Sequence, residues 1–135
     1  MNFVWKRKEK LEAFLTIMSK CGLLDQLPEP LIDAASAVSG SGPAFAYVFM
    51  EALADGGVAC GLPRAKAMEY AAQMMLGSAE LVLRSGQHPG ALKDAVCSPG
   101  GTTIEGVRAL ENGAFRATCM SAVGAALEKT KRLKK

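Results

Sequence analysis

The stretch Ala44 to Val58, AFAYVFMEALADGGV, is apolar nearly all round when wound as a helix, with Glu51 and Asp55 its only charges. A helix of that kind must be buried on most of its sides. The chain has 135 residues, one domain by size, and so short a chain can hardly cover such a helix alone. The first constraint is therefore a helical fold completed by a partner subunit. The same run is a poor membrane span, because its two acids fall inside it.

Hydrophobic residues make up 50% of the chain and charged residues 21%, which excludes general disorder. Aromatics are only 6%, so the core is expected to rest on small and flexible side chains. A formal charge of +3 is too weak to imply a nucleic-acid partner. Cys21, Cys60, Cys97 and Cys119 form no CxxC pair and no zinc spacing, and His88 is the one histidine. Reduced cysteines and no metal are expected. The start, MNFVWKRKEK, has basic residues with no long apolar stretch behind them, and LEAFLTIM is broken by Glu12. No leader or membrane association follows from it, and a cytoplasmic location is expected.

Periodicity predicts an all-α chain, with no sustained strand alternation anywhere. Lys8 to Lys20 carries Leu11, Phe14, Leu15 and Met18 on one face and is stopped by Gly22. DQLPEP is a turn, Leu31 to Val38 resumes the helical pattern, and SGSGP interrupts it. Pro43 is placed at the first position of the apolar helix. Arg64 to Leu83 has Met68, Ala72, Met75, Ala79 and Val82 at helical spacing. Gly86 to Gly90 reads as a loop, Ala91 to Val96 as a short helical turn, and Ile104 to Glu111 as a helix. After the turn NGA, Phe115 to Leu133 is a last helix, its basic KTKRLKK end suiting the negative end of the dipole.

Against this background CSPGGTTIEG, Cys97 to Gly106, stands out. Thr102 and Glu105 have capping-box spacing, so SPGGTT could simply start a helix. The same geometry permits a function. A helix start preceded by glycines presents backbone N–H groups and a positive dipole end to an anion such as a carboxylate. The hydroxyls of Ser98, Thr102 and Thr103 could orient that ligand. SGSGPAF fails as a dinucleotide fingerprint, because Phe45 stands where the third glycine belongs and no strand precedes it. His88 with Cys97 lacks an oxyanion pattern, and His88 before Pro89 fits a loop or cap better. Glu51 and Asp55 could be paired acids; such residues more often partner Arg or Lys of a neighbouring helix.

The segment PGALKDAVCSPGGTTIEGVRALE, Pro89 to Glu111, resembles the signature of pyrroline-5-carboxylate reductases. LIDAASAVSGSGPAFAYVFMEALADGGVACGLPR is similar to the first helices of that family's C-terminal domain, and GAFRATCMSAVGAALEKTKRL to its last helix. The likeness runs from Leu11 to Leu133. Residues 11–135 would be the helical dimerisation domain, and residues 1–10 an unmatched start. Many relatives have Thr-Gly where this chain has Ser36-Ala37, which keeps the hydroxyl.

The resemblance implies an intertwined helical bundle, at least a homodimer, from an enzyme of proline biosynthesis. Such enzymes reduce the cyclic imine 1-pyrroline-5-carboxylate to L-proline with NADPH or NADH. Their cofactor-binding Rossmann domain is missing from this sequence, so a fragment or shortened gene product is expected, one that binds no cofactor and does not turn over alone. The implied substrate residues are Val96, Ser98, Pro99, Gly100, Gly101, Thr102 and Thr103. The N–H groups of Gly101, Thr102 and Thr103 would take the carboxylate, and the Thr103 hydroxyl, the catalytic group, would face the ring nitrogen. Ser39, Gly40, Ser41 and Ser98 would lie toward the cofactor of the full enzyme. Two other readings stay open: a non-catalytic oligomerisation module derived from that enzyme, and an unrelated helical protein that binds phosphate at the PGGTT helix start.

Overall fold

The computed structural model describes residues 2–134, and among them are seven helices and no strand. They are α1 (Asn2–Met18), α2 (Glu29–Ser39), α3 (Gly42–Ala59), α4 (Arg64–Ser85), α5 (Pro89–Val96), α6 (Thr102–Asn112) and α7 (Phe115–Leu133). The all-α expectation holds. Met1 of the unmatched start and Lys135 of the basic end lie outside the described residues. Two compact units divide the chain, Met1–Ile32 and Asp33–Lys135.

Helix ends depart from the apolar periodicity in ways that capping explains. Helix α1 ends at Met18, not Lys20, where the Cys21 N–H turns back to the Met18 carbonyl at 2.8 Å; Gly22 lies beyond it at φ +138°. Helix α3 begins at Gly42, which moves Pro43 to its second position. The expected loop Gly86–Gly90 is shortened, because α5 already starts at Pro89. Helix α6 opens at Thr102, two residues before Ile104. Polar first turns are helical in backbone while carrying no apolar period, so periodicity misses them.

The α3–α4 hairpin is the tightest packing in the second unit. Ala54 of α3 and Ala67 and Ala71 of α4 are buried. A Cβ added at Gly57 would sit 3.2 Å from the Ala67 Cβ and 3.3 Å from Leu62 Cδ1, so the two backbones approach across a small-residue seam. The turn is a Schellman motif: Gly61 has φ +96°, its N–H bonds the Val58 carbonyl at 2.9 Å, and the Leu62 N–H bonds the Gly57 carbonyl at 3.0 Å. Arg64 of α4 pairs with Asp55 of α3, so Asp55 takes the structural role left open by its sequence. Helix α7 reaches α3 through the rings of Phe115 and Phe49, 5.2 Å apart, and α2 through Lys134 and Asp33 at 2.5 Å.

Burial inside one chain stops early. Ala37, Ala54, Ala67 and Ala71 are the whole buried core among the described residues. On α3, Tyr47 and Val48 remain 66% and 68% exposed, and Phe45, Tyr70, Met74 and Met120 are exposed as well. The apolar helix is thus not covered by its own chain. No helix among the described residues is long and apolar enough to cross a membrane.

Candidate functional site: the Ser98–Gly101 turn and the start of α6

Helix α5 delivers the chain into the loop. His88 caps it: the His88 Nδ1 accepts from the Gly90 N–H at 3.0 Å, so this ring is a cap and not a base for Cys97. Along α5, Lys93 pairs with Asp94 at 2.5 Å. That hydrogen bond first, and then the Asp94 charge, raise the Lys93 ammonium above its ordinary pKa. Helix α5 ends at Val96, which is exposed, and the Cys97 N–H closes onto the Asp94 carbonyl at 3.1 Å. Cys97 is half-buried, and it and the other three cysteines are free thiols.

Ser98, Pro99, Gly100 and Gly101 then form a β-turn, closed by the Gly101 N–H on the Ser98 carbonyl at 3.0 Å. Proline at the second position and positive φ at the third is the type II pattern, and Gly100 supplies φ +67°. A side chain at Gly101 would collide with Ser98 Oγ and lie 3.2 Å from the Ser98 carbonyl oxygen. Gly100 is therefore required by its φ, and a side chain at Gly101 would make the Ser98 hydroxyl move aside.

The turn changes which donors are available. The Gly101 N–H, expected among the anion donors, is engaged within the turn. Thr102, Thr103 and Ile104 begin α6, and none of their N–H groups is among the backbone bonds that turns, loops and caps make here. Such first-turn amides have no intrahelical partner. Ile104 was missed in the sequence because its side chain reads as core; the Pro-Gly order of the turn was the available signal. The expected capping box does not form. Gly101 holds the cap position, no side-chain cap bond is present, and Glu105 pairs with Arg108.

The second stretch, Ser39–Ser41, is a helix–helix junction. The Gly40 and Ser41 N–H groups both reach the Ser36 carbonyl, at 2.8 and 3.2 Å, and the Ser39 hydroxyl donates to the Ala35 carbonyl at 2.9 Å. A Cβ at Gly40 would lie 2.9 Å from the Ser36 carbonyl oxygen. No hydrogen bond among the described residues joins this junction to the Ser98–Thr103 loop. Among the described residues no strand precedes the junction, so it lacks the βαβ setting of a dinucleotide fingerprint. Among the described residues no group of three or more His, Cys, Asp or Glu side chains converges on a metal position.

Comparison with known proteins identifies the family of the chain. Residues 29–133 match the family "Pyrroline-5-carboxylate reductase dimerisation". The chain is 50% identical over 121 residues to the pyrroline-5-carboxylate reductase of Escherichia coli, covering 90% of this chain and 45% of that protein. It is 54% identical over 112 residues to the Arabidopsis thaliana enzyme, covering 83% and 41%. Among solved structures, it is similar to the Plasmodium falciparum pyrroline carboxylate reductase with NADP bound, with a TM-score of 0.85 at 40% identity over 92% of this chain and 50% of that one. It is also similar to the Coxiella burnetii enzyme, with a TM-score of 0.87 at 35% identity over 95% and 48%. The chain thus spans about half the length of the relatives it matches.

Proposed function

This chain belongs to the pyrroline-5-carboxylate reductase dimerisation family, and we propose that it is the substrate-binding and dimerisation half of such a reductase. The observation that carries the reading is the Ser98–Gly101 turn, which sets the free N–H groups of Thr102, Thr103 and Ile104 at the positive end of α6. These donors take the carboxylate of the imino acid. Val96 and Pro99 pack on its ring. The Thr103 hydroxyl faces the ring nitrogen, where charge changes as C=N becomes C–N, so a placed hydrogen bond acts on the reacting centre. Ser39, Gly40, Ser41 and Ser98 border a nicotinamide cofactor that a separate domain holds, since these residues do not hold a dinucleotide alone.

The exposed faces of α3 and α4 support the second half of the proposal. Tyr47 and Val48 of α3 and Tyr70 and Met74 of α4 stay exposed, the kind of apolar surface that a large obligate interface buries. A second copy is the occupant, and the setting is an enzyme of the cytoplasm. Sedimentation at micromolar concentration gives a dimer; a stable, compact monomer would remove this part.

Activity is tested by joining this chain behind the N-terminal half of the Escherichia coli relative. The joined protein oxidises NADPH only when the imine is present, and the chain alone does not. Thr103→Val then slows turnover by roughly 10–150-fold, equivalent to about 1.5–3 kcal/mol for a hydrogen bond to a group gaining charge. Valine keeps the β-branch and the backbone donors, so KM changes little. Wild-type turnover in Thr103→Val would assign the hydroxyl no part in the reaction.

A further inference from the structure

Glu105 has two destinations within reach. It is the one acidic residue in the first turn of α6. Side chains on a helix lean toward its N-terminus, and the positive dipole end there favours a nearby carboxylate, so Glu105, at the fourth helical position, can lean back toward the free amides. Doing so would place a carboxylate on the donors that the substrate carboxylate needs. In the structure Glu105 turns the other way. Its carboxylate accepts from Arg108 Nη2, one turn further along the same face, and no side chain caps the start of α6.

We propose that Arg108 is a positioning residue for the carboxylate site: by drawing Glu105 along α6 it keeps an internal competitor off the N–H groups of Thr102, Thr103 and Ile104. The proposal rests on the carboxylate-binding reading above. Both partners are well exposed, so the pair itself adds little to stability; its effect is on where the Glu105 carboxylate sits. The ligand class favoured is a small ring carboxylate, which must displace Glu105 only when Arg108 is lost.

The test titrates L-proline into the 135-residue chain and follows the amide resonances of Thr102, Thr103 and Ile104, with prolinamide as the ligand lacking the carboxylate. Arg108→Met is expected to weaken L-proline by roughly two- to fivefold, the scale of a charge at a helix terminus. Glu105→Ala binds at least as well as wild type. The double variant Arg108→Met/Glu105→Ala recovers the affinity of Glu105→Ala, while prolinamide is indifferent to all three. Without ligand, Arg108→Met alone shifts the three amides as Glu105 closes on them, and the double variant reverses that shift. Should the double variant stay as weak as Arg108→Met, Arg108 acts only by its own charge and the proposal fails. Equal affinities in all variants overturn it too. No response of the three amides to L-proline in any variant removes the carboxylate reading and this proposal together.

Discussion

Two glycine-bearing connections in the second unit link helices in similar lengths and do opposite things. Between α3 and α4, Cys60 to Pro63 turns the orphan carbonyls of a helix end back onto backbone N–H groups and buries a seam of alanines behind them. Between α5 and α6, Cys97 to Gly101 satisfies its own turn and leaves the next helix start open. The first connection is closed chemistry and reads as scaffold. The second keeps unmatched donors at a positive dipole end, an arrangement that only a ligand or water completes. The difference lies in which helix end the turn serves: a carbonyl end can be closed by the chain's next residues, whereas an amide end needs an acceptor brought to it.

That contrast breaks most readily at the seam. Gly57→Leu forces four carbons between α3 and α4, where a Cβ alone already meets Ala67 and Leu62. It should cost roughly 1–3 kcal/mol, read as a fall in thermal midpoint, with the Thr102–Ile104 amides still responding to L-proline. A loss of that response without a loss of stability would mean the scaffold and the loop are not separable.

Paired alanine substitutions sharpen the comparison. Gly61 and Gly100 both have positive φ, +96° and +67°, and neither has a neighbour within 4 Å of an added Cβ. Each change therefore carries conformational strain alone, about 1–2 kcal/mol. Gly61→Ala is expected to lower the thermal midpoint and spare L-proline binding. Gly100→Ala is expected to weaken binding more than it lowers the midpoint, because the strain re-aims the donors. Identical behaviour of the two variants would make the second turn a mere connector.

A smaller gain is available where neither turn is involved. Ala114, at φ +54°, is the one non-glycine residue in the left-handed region among those described. Ala114→Gly relieves that strain and loosens the unfolded chain, for a net stabilisation of about 0.5–1 kcal/mol, checked by chemical denaturation. The smallest expected effect is at Lys93. Its folded pKa is raised by Asp94, so its contribution is present below the ordinary lysine value and fades as pH rises through the folded one. Stability profiles of wild type and Lys93→Met should converge only at strongly alkaline pH.

The candidate site was partly legible. Residues SPGGTT announced a bare helix start, and their order carried the family resemblance. The donor set was not legible to the residue, because whether Gly101 gives its N–H to a ligand or to Ser98 depends on the φ of Gly100 and the closing of a turn. Glu105 misled in the same way. Capping-box spacing is a local pattern, and Arg108 offers the same carboxylate a charged partner that the pattern does not weigh. His88 read correctly as a cap, since a residue before a proline that opens a helix has little else to do.

By itself the sequence determined the helical class and the approximate course of all seven helices. Those follow from the 3.6-residue apolar periodicity and from the turn residues between the periodic stretches. Tertiary structure alone decided that Gly57 of α3 meets Ala67 of α4, that Ala54 and Ala71 are buried, and that Asp55 belongs to Arg64. It also decided that the donors at α6 begin at Thr102. Composition counts which groups a chain owns, but burial and hydrogen bonding depend on which of them meet, and that is set by angles and distances between elements far apart in the chain.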